Sequence, residues 1–432
     1  MNSKRNISIR VPVLTRVEGE GALELDINDG QIDTLNLRIY EPPRYFEQFL
    51  KGHPYQEVPD ITARICGICP VAYQMSAVQA LEQALDFQAS DWVIRMRRLL
   101  YCGEWVQSHS LHIHLLALPD FLGFDSALEM AQDHPDVLQR GLKLQSLGND
   151  MIRLLGGRSV HPVGVLPGGF YKAPEKKAVG ELLGKLQSAL ADCYDMIDWL
   201  CRLPLPSVEQ DFVSVGLRHS DEYALYSGRI VSDQGLDISV DEYEQHFAEH
   251  HAPHSTALHA LHHGKPYLVG PLARVNLNYH QLPSSITSRL EDNGIEFPSK
   301  NVFNSIIARA VELTLCIEQA MEILSDYEPT QHPYGKLTIR AAIGYGASEA
   351  PRGLLWHKYE IDEQGYIQYA NIIPPTSQNQ AQIEQDLHHS IMQQGMNMND
   401  DELRLFSESI IRNYDPCISC ATHFLKLKVN RN

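Results

Sequence analysis

The sequence contains no apolar run that approaches the roughly 20 residues needed to cross a bilayer as a helix. Its N-terminal stretch, MNSKRNISIRVPVLTRVEGEG, has early basic residues but no apolar segment after them, so we predict no signal peptide. Fixed-period repeats, low-complexity tracts and evident linkers are also lacking. These absences predict a globular chain without a membrane span.

Positive charge is scarce as well. The 432 residues include 36 Lys and Arg against 54 Asp and Glu, which gives a formal net charge of −18. Because phosphate binding requires a basic footprint, this balance excludes nucleic acid as the main ligand. The hydrophobic fraction of 44% and the charged fraction of 21% are ordinary for a globular protein that buries a large core.

Periodicity predicts an α+β fold that is predominantly helical. Alternation at 21–27 and 31–40, around the turn signal Asn28-Asp29-Gly30, indicates a β-hairpin. Apolar residues at helical spacing predict long helices over 74–87, 92–118, 137–155, 177–203 and 302–327, which can form a central bundle. Small peripheral sheets are predicted from strands at 337–345 and 353–373, before a last helix at 400–413. Residues 204–300 are predicted to form a peripheral insertion.

A histidine-rich stretch lies inside that insertion. His246, His250 and His254 have the i,i+4 spacing of a helical metal-ligand pair, but Pro253 interrupts any helix there. No nearby pattern of carboxylate and histidine completes a ligand set. We therefore predict that these histidines are solvent-exposed.

Eight cysteines are too few for a disulfide scaffold in a chain of this length. Cys102, Cys193, Cys201 and Cys316 are dispersed and are predicted to be buried apolar residues. The other four form two CxxC pairs, Cys66 with Cys69 and Cys417 with Cys420. Two intervening residues let both sulfurs bind one ion, and four thiolates suit zinc, an iron–sulfur cluster or nickel.

The distance between the pairs argues against the ordinary alternatives. A zinc ribbon has its pairs about 15–20 residues apart, and a thioredoxin-like dithiol has a single pair in a βαβ unit. Here Cys69 and Cys417 are 348 positions apart. Charged and imidazole neighbours, Arg64, Asp415 and His423, suggest a reactive site rather than a closed structural one. Spacing alone predicts a metal site and leaves the metal open.

Taken together, these segments resemble the large subunits of nickel–iron hydrogenases over residues 12–423. The resemblance rests on RxCGxC at 64–69 and DPCxxCxxH at 415–423, with several motifs between them in the same order. Those motifs are RYFE at 44–47, Ser108-His109 with LPD at 118–120, His161-Pro162 with PGG at 167–169, and EAPRG at 349–353.

The resemblance implies a role for each motif residue. Cys66 and Cys417 would be terminal ligands of nickel, and Cys69 and Cys420 would bridge nickel to an iron that carries carbon monoxide and cyanide. Glu18 would relay protons. Arg352, after Pro351 on a rigid turn, would lie over the open coordination site with Asp120 and Asp415 orienting it. Glu47 and His423 would bind Mg²⁺. Tyr73 stands where many members have a histidine that donates to a bridging sulfur.

The resemblance also implies partners. Because no cysteines remain in an iron–sulfur pattern, this chain would hold no cluster and would require an iron–sulfur small subunit. Tyr73 and the segment 374–379 indicate the cytoplasmic subgroup that works with NAD(P) through flavin and iron–sulfur diaphorase subunits, which includes the sulfhydrogenases. A single domain would span 1–423, and a maturation endopeptidase would remove 424–432 by cutting between His423 and Phe424.

Three alternatives remain open. The same H2 chemistry could serve a deazaflavin or heterodisulfide-linked partner. The chain could be a coupling subunit like the quinone-reducing core of respiratory complex I, which shares the fold but lacks the cysteines. It could also be a zinc-stabilised scaffold. The four cysteines present here favour the redox enzyme over the second alternative.

Overall fold

The computed structural model describes residues 6–422. The chain begins with a three-stranded antiparallel sheet made of β1 (Ile7–Val11), β2 (Gly21–Asn28) and β3 (Gln31–Ile39). The predicted hairpin is present. Asp29 and Gly30 form its two-residue turn at positive φ, as a type I′ turn requires. Leu23, Leu25 and Ile27 alternate inward and are fully buried.

The next part of the chain is mostly helical. Its elements are α1 (Phe46–Leu50), α2 (Val58–Thr62), α3 (Pro70–Ala84), α4 (Asp91–Leu111), α5 (Leu118–Leu122), α6 (Ala127–Asp133), α7 (Pro135–Gly156), β4 (Val165–Leu166), β5 (Gly169–Phe170) and α8 (Lys176–Cys201). A π-helical segment, His112–Ala117, joins α4 to α5. Proline opens α3 and α7 because it tolerates the first turn, where its missing N–H has no helical partner.

Residues 204–300 form short strands and short helices. The elements here, with the long helix that follows, are β6 (Val215–Arg218), β7 (Arg229–Ser232), β8 (Asp237–Ile238), α9 (Tyr243–His246), β9 (Phe247–His251), β10 (Leu258–His262), α10 (Pro271–Asn278), α11 (Ser284–Asp292) and α12 (Ser305–Ser325). Part of this segment reaches the interior, because α10 packs on α12 and Arg274 is fully buried.

The last part of the chain forms a sheet and three helices, β11 (Ala342–Ala350), β12 (Gly353–Ile361), β13 (Ile367–Ile373), α13 (Pro375–Gln393), α14 (Asp400–Asn413) and α15 (Ile418–Ala421). The strand predicted at 337–345 begins only at Ala342, and the one predicted at 353–373 is a pair, β12 and β13. The helix α13 was not predicted, because polar side chains such as Gln378 and Gln382 occupy its buried face and remove the apolar periodicity.

The predicted class, α+β and predominantly helical, is confirmed. Helix α4 packs against α7 and α12, α12 packs against α8, and α3 lies against β11. The largest apolar core includes all four CxxC cysteines, whereas Ile418, between the two cysteines of the second pair, belongs to a second core beneath β1–β3. The cysteines therefore lie where two cores meet. Within 6–422, no helix combines the length and apolarity that a bilayer span requires.

Candidate metal centre

The first cysteine pair lies between a 3₁₀ turn and the start of α3. Cys66 is extended, with φ −139° and ψ 137°, and Cys69 is the residue before the first turn of α3. The backbone N–H groups of Ile68 and Cys69 both donate to Cys66 Sγ at 3.3 Å. These donors favour a thiolate at Cys66, since hydrogen bonds to the charged form stabilise it.

The second pair lies between α14 and the end of the described chain. Cys417 precedes α15 and Cys420 lies within it. The N–H of Cys417 donates to Thr376 Oγ1 at 3.0 Å, and the N–H of Ile418 donates to the carbonyl of Glu18 at 2.9 Å. This second bond belongs to a parallel bridge between Glu18 and Cys417. The two ends of the chain are therefore held together at the site.

The four sulfurs converge on one point. Cys66 Sγ lies 3.4 Å from Cys417 Sγ, Cys69 Sγ lies 3.7 Å from Cys420 Sγ, and Cys417 Sγ lies 2.9 Å from Cys420 Sγ. All four residues are buried. Burial and the neighbouring thiols raise the pKa of Cys417 well above its ordinary value. Four buried sulfurs at this spacing suit a soft metal ion, because a cation is what allows them to ionise together.

Arg352 lies beside the sulfurs on a tight turn. Pro351 and Arg352 form the two-residue loop between β11 and β12, and Gly353 follows at φ 133°, where a Cβ would meet Val269. Arg352 Nε donates to the carbonyl of Asp415 at 2.7 Å, and Nη2 contacts Asp415 Oδ1 at 3.0 Å. Burial alone would lower the pKa of Arg352, but Asp415 and the cysteines raise it well above its ordinary value. A permanent cation thus faces the four sulfurs.

A second guanidinium lies on the other side of Asp415. Arg309 Nη1 of α12 is 3.7 Å from Asp415 Oδ2. Arg352 itself has one further partner, because its Nη1 lies 3.4 Å from Ser108 Oγ of α4. Burial lowers the pKa of Arg309 to about 10, so it remains a cation at neutral pH. Arg309 was not predicted as a site residue, although a charged residue within the apolar run of α12 was an available signal.

Asp120 has a different partner from the one predicted. Its carboxylate accepts from Arg412 at 2.7 and 2.8 Å and from Arg16 at 2.5 Å. Among residues 6–422, Arg352 donates to Asp415 and Ser108 and not to Asp120. The expectation that Asp120 directly orients Arg352 is therefore wrong. The reason is that α5 points Asp120 at α14, which carries Arg412.

Glu18 lies between the buried sulfurs and the protein surface. Its Oε2 accepts from Cys417 Sγ at 3.1 Å and from the N–H of Ser419 at 3.1 Å. The residue itself is half-buried, whereas Cys417 is fully buried. A carboxylate in this position can exchange a proton with the sulfur on one side and with solvent-side groups on the other.

Tyr73 lies on α3 one turn after Cys69 and is fully buried. Burial, together with the charge of Cys420 and Cys69, raises the pKa of Tyr73 well above its ordinary value. Its phenol therefore stays protonated. The Tyr73 ring lies 5.7 Å from that of His357, whose Nδ1 is 2.8 Å from Tyr359 Oη.

Of the two residues predicted to bind magnesium, the structure describes Glu47. Glu47 of α1 accepts from the N–H of Ile372 at 2.8 Å, and it is half-buried. His423, the proposed cut after it and the tail 424–432 lie outside the described residues.

Arg44 belongs to the RYFE motif but was not predicted as a site residue. Its Nη2 donates to the carbonyl of Ile65 at 2.6 Å and also to the carbonyl of Ser419, so one guanidinium joins the two CxxC segments. Its backbone N–H donates to the carbonyl of Thr422 at 2.7 Å.

Glu104 of α4 is another residue that no sequence motif indicated. It is buried, and it accepts from the N–H groups of Val71 and Ala72 at 2.6 and 3.0 Å. These N–H groups belong to the first turn of α3, directly after Cys69, so Glu104 holds the helix start that carries the first pair.

Comparison with known proteins agrees with this geometry. The family model for nickel-dependent hydrogenases matches residues 44–146 and 220–423. The chain is 32% identical over 427 residues to the alpha subunit of sulfhydrogenase 1 from Pyrococcus furiosus, covering 98% of this chain and 99% of that protein. It is 30% identical to one of the subunits of an F420-non-reducing hydrogenase from Methanothermobacter marburgensis, over 96% and 95% of the two chains.

A solved structure extends the comparison to the fold. The match to an NAD⁺-reducing [NiFe]-hydrogenase in its H2-reduced state has a TM-score of 0.89 at 27% identity, covering 96% of this chain and 99% of that one. The expected likeness to the sulfhydrogenase and NAD-linked subgroup is thereby confirmed. The chain belongs to the nickel-dependent hydrogenase family, as a large, catalytic subunit of the nickel–iron type.

Proposed function

We propose that the chain catalyses the reversible heterolytic cleavage of H2 at a nickel–iron centre held by its four CxxC cysteines. The observation that carries the proposal is the convergence of the two pairs, whose sulfurs lie 3.4 Å apart at Cys66 and Cys417 and 3.7 Å apart at Cys69 and Cys420, beside the guanidinium of Arg352. When bound, a centre with carbon monoxide and cyanide on iron supplies the Lewis acid that polarises H2.

The order of the cysteines supports their division into two classes. Cys66 faces Cys417, and Cys69 faces Cys420, so equivalent positions of the two motifs lie opposite each other. Cys66 and Cys417 would hold nickel, and Cys69 and Cys420 would hold nickel together with iron. Tyr73 supports this assignment, because it lies beside Cys69 and Cys420 with its phenol protonated and able to donate.

The residues around the sulfurs have separate tasks in the proposed reaction. Cys417, as a thiolate, would be the first group to take a proton released from H2, and Glu18 Oε2, 3.1 Å away, would accept that proton and pass it outward. Arg352 would hold positive charge beside the four sulfurs. Asp415 fixes the Arg352 guanidinium through two contacts.

Electron transfer is proposed to require a partner. Within residues 6–422, the only cysteine group close enough to hold a metal is the one at the centre. We propose an iron–sulfur small subunit that receives the electrons, with flavin and iron–sulfur diaphorase subunits that pass them to NAD(P), in the cytoplasm. The similarity to an NAD⁺-reducing hydrogenase favours this acceptor. The chain is comparably similar to a subunit of an F420-non-reducing hydrogenase, so the second candidate is an electron acceptor other than NAD(P).

Maturation is part of the proposal. We propose that Glu47 and His423 bind Mg²⁺ and that an endopeptidase removes the tail from Phe424 once nickel is inserted. The tailed precursor should then lack nickel. A tailed chain that carries a full complement of nickel and oxidises H2 would refute this step.

Metal analysis and infrared spectroscopy test the central proposal. The complex purified with its native subunits should contain nickel and iron and should show infrared bands of metal-bound carbon monoxide and cyanide. Zinc without such bands would support a structural scaffold, and the absence of metal would support a coupling subunit. H2-dependent reduction of NAD⁺ and NADP⁺ by the same complex would identify the acceptor.

A further inference from the structure

The hairpin β9–β10 brings together histidines that the sequence does not pair. The helical spacing of His246, His250 and His254 is not realised, because residues 247–251 are a strand and Pro253 lies in the turn. His254 instead lies beside His259 of β10, with ring centroids 5.8 Å apart at 77°. In the strand register, His259 is opposite His250. The proximity of these imidazoles is therefore a product of β pairing.

A carboxylate from a distant helix completes this cluster. Glu384 Oε1 of α13 lies 2.8 Å from His254 Nε2. One ligand atom from each of His254, His259 and Glu384 lies within 4.8 Å of the others. Ligands at about 2.0–2.2 Å from a tetrahedral zinc ion are roughly 3.3–3.5 Å apart, so side-chain movements of about an ångström would close the set.

His259 is a buried imidazole with one unsatisfied nitrogen. It is 5% exposed, and its Nε2 has no hydrogen-bond partner among the residues that the structure describes. A buried nitrogen without a partner is costly, and a metal–nitrogen bond removes that cost. Burial, with the neighbouring histidines, lowers the pKa of His259 to about 4, so at neutral pH the imidazole is neutral and can ligate a metal.

The carboxylate of Glu384 is held in place by the backbone of β3. Glu384 Oε1 also accepts from the N–H of Leu37 in β3 at 2.9 Å, which fixes its orientation. Ligand carboxylates are commonly held by such outer hydrogen bonds. A divalent ion would take the place of the hydrogen atom between His254 Nε2 and Glu384 Oε1.

We propose that His254, His259 and Glu384 form a second metal site, which binds a zinc-class divalent cation and ties β3, the β9–β10 hairpin and α13 together. Two imidazoles and one carboxylate are a ligand set that zinc accepts with a fourth position open to water. Helix α13 begins near Thr376, which binds the N–H of Cys417. Glu384 lies roughly 12 Å further along the same helix, so an ion there would stiffen the support of the second cysteine pair.

A rival cluster occupies the other end of the hairpin. His246, His262 and His263 also place ligand atoms within 4.8 Å, but His263 is exposed and none of the three is a carboxylate. The experiment must therefore separate three sites: the cysteines, the rival cluster and the proposed site.

Co²⁺ and Zn²⁺ binding to the full-length chain provides that separation. Co²⁺ at four cysteines gives sulfur-to-metal charge-transfer absorption, whereas Co²⁺ at histidine and carboxylate gives d–d bands without it. We expect one equivalent of the second kind, displaced by Zn²⁺. In His259→Gln and Glu384→Gln, its affinity should fall at least about tenfold.

Two matched controls complete the design. His388→Gln changes an exposed histidine of α13, and His263→Gln changes the rival cluster; both should bind as the unaltered chain does. Unchanged binding in His259→Gln, loss in His263→Gln, or no thiolate-free equivalent in the unaltered chain would each overturn the proposal. Circular dichroism in EDTA checks folding, and if His259→Gln does not fold, Glu384→Gln decides. H2 activity is not used, so the result is independent of the hydrogenase proposal.

Discussion

Glu18 Oε2 lies 3.1 Å from Cys417 Sγ although 399 positions separate the two residues. Their backbones are also joined, because the N–H of Ile418 donates to the carbonyl of Glu18 at 2.9 Å. The position of the carboxylate is therefore set by main-chain pairing as well as by its own side chain. A change to the side chain alone should leave the two chain ends in place, which makes its chemical role separable from its structural one.

The substitution Glu18→Gln tests that separation. An amide keeps the shape and can still accept from the N–H of Ser419, but it cannot carry a proton. We expect full nickel and iron content with exchange between H2 and solvent deuterons slowed by about a hundredfold or more. Glu20→Gln, which changes an exposed acid in the same segment, should leave the exchange rate unchanged. Normal exchange in Glu18→Gln would remove it from the proton path.

The substitution Cys417→Ser tests the ligand set. A serine hydroxyl does not replace a soft thiolate at a nickel site, and Cys417 lies within 3.4 Å of both Cys66 and Cys420. We expect loss of nickel, of H2 oxidation and of the infrared bands assigned to carbon monoxide and cyanide on an intact centre. Cys201→Ser, half-buried in α8 and outside the cysteine group, should retain all three. Nickel retained at Cys417→Ser would contradict the assignment.

The grouping of the four cysteines at one site and the positions of the long helices could be predicted from the sequence, for physical reasons. Metal ligands need particular side chains at short spacing, and the buried faces of α4, α7 and α8 repeat apolar residues at helical intervals. The sequence could not predict α13, whose buried face is polar. Glutamine and asparagine side chains there bind backbone groups, as when Asn379 pairs with the N–H and carbonyl of Val269.

Ion pairs were the least predictable part of the site. Asp120 and Asp415 both lie close to arginines, and which guanidinium Asp120 meets depends on helix directions that a motif does not encode. Asp120 lies on α5 and meets Arg412, whereas Asp415 follows α14 and meets Arg352 and Arg309. The role of Arg44 was likewise unpredictable, because its partners are carbonyls and carry no sequence signal.

Asp120→Asn is expected to lower stability. The change removes the charge that two largely buried guanidiniums share, with side-chain exposures of 14% for Arg16 and 1% for Arg412. Arg16 would lose its ion-pair partner, whereas Arg412 would keep Glu408 at 2.8 Å, so the free energy of unfolding should fall by on the order of 2 kcal/mol. Urea unfolding of the full-length chain measures this. Asp125→Asn, exposed and close by in the sequence, should change it little, and equal stability of both variants would contradict the assigned role.

Arg44→Lys tests whether one guanidinium joins the two cysteine segments. Lysine keeps the charge, but its single ammonium cannot reproduce the planar donor geometry that reaches the carbonyls of Ile65 and Ser419. We expect lower nickel occupancy in the mature subunit with little change in far-ultraviolet circular dichroism. Arg38→Lys, whose exposed side chain pairs with Glu24 in the first sheet, should keep its nickel. Full occupancy in Arg44→Lys would mean that the segments are held together without it.

Asp386 should make the stability of the chain depend on pH. Burial raises the pKa of its carboxyl to about 7 from an ordinary value of 3.8, although Tyr414 and Gln382 donate to it. The folded chain therefore retains a proton that the unfolded chain loses above about pH 4. This stabilisation is complete below that pH and is lost as the pH rises through 7.

The effect on unfolding is at most about 1.4 kcal/mol for each pH unit in that window, because one proton is involved. An asparagine stays neutral and can keep both hydrogen bonds, since the Tyr414 hydroxyl can accept as well as donate. In Asp386→Asn the free energy of unfolding should fall less steeply between pH 4 and 7 than in the unaltered chain. Asp401→Asn, exposed on α14, should keep the original slope. Parallel curves for the unaltered chain and Asp386→Asn would mean that Asp386 is ionised in the folded protein throughout this range.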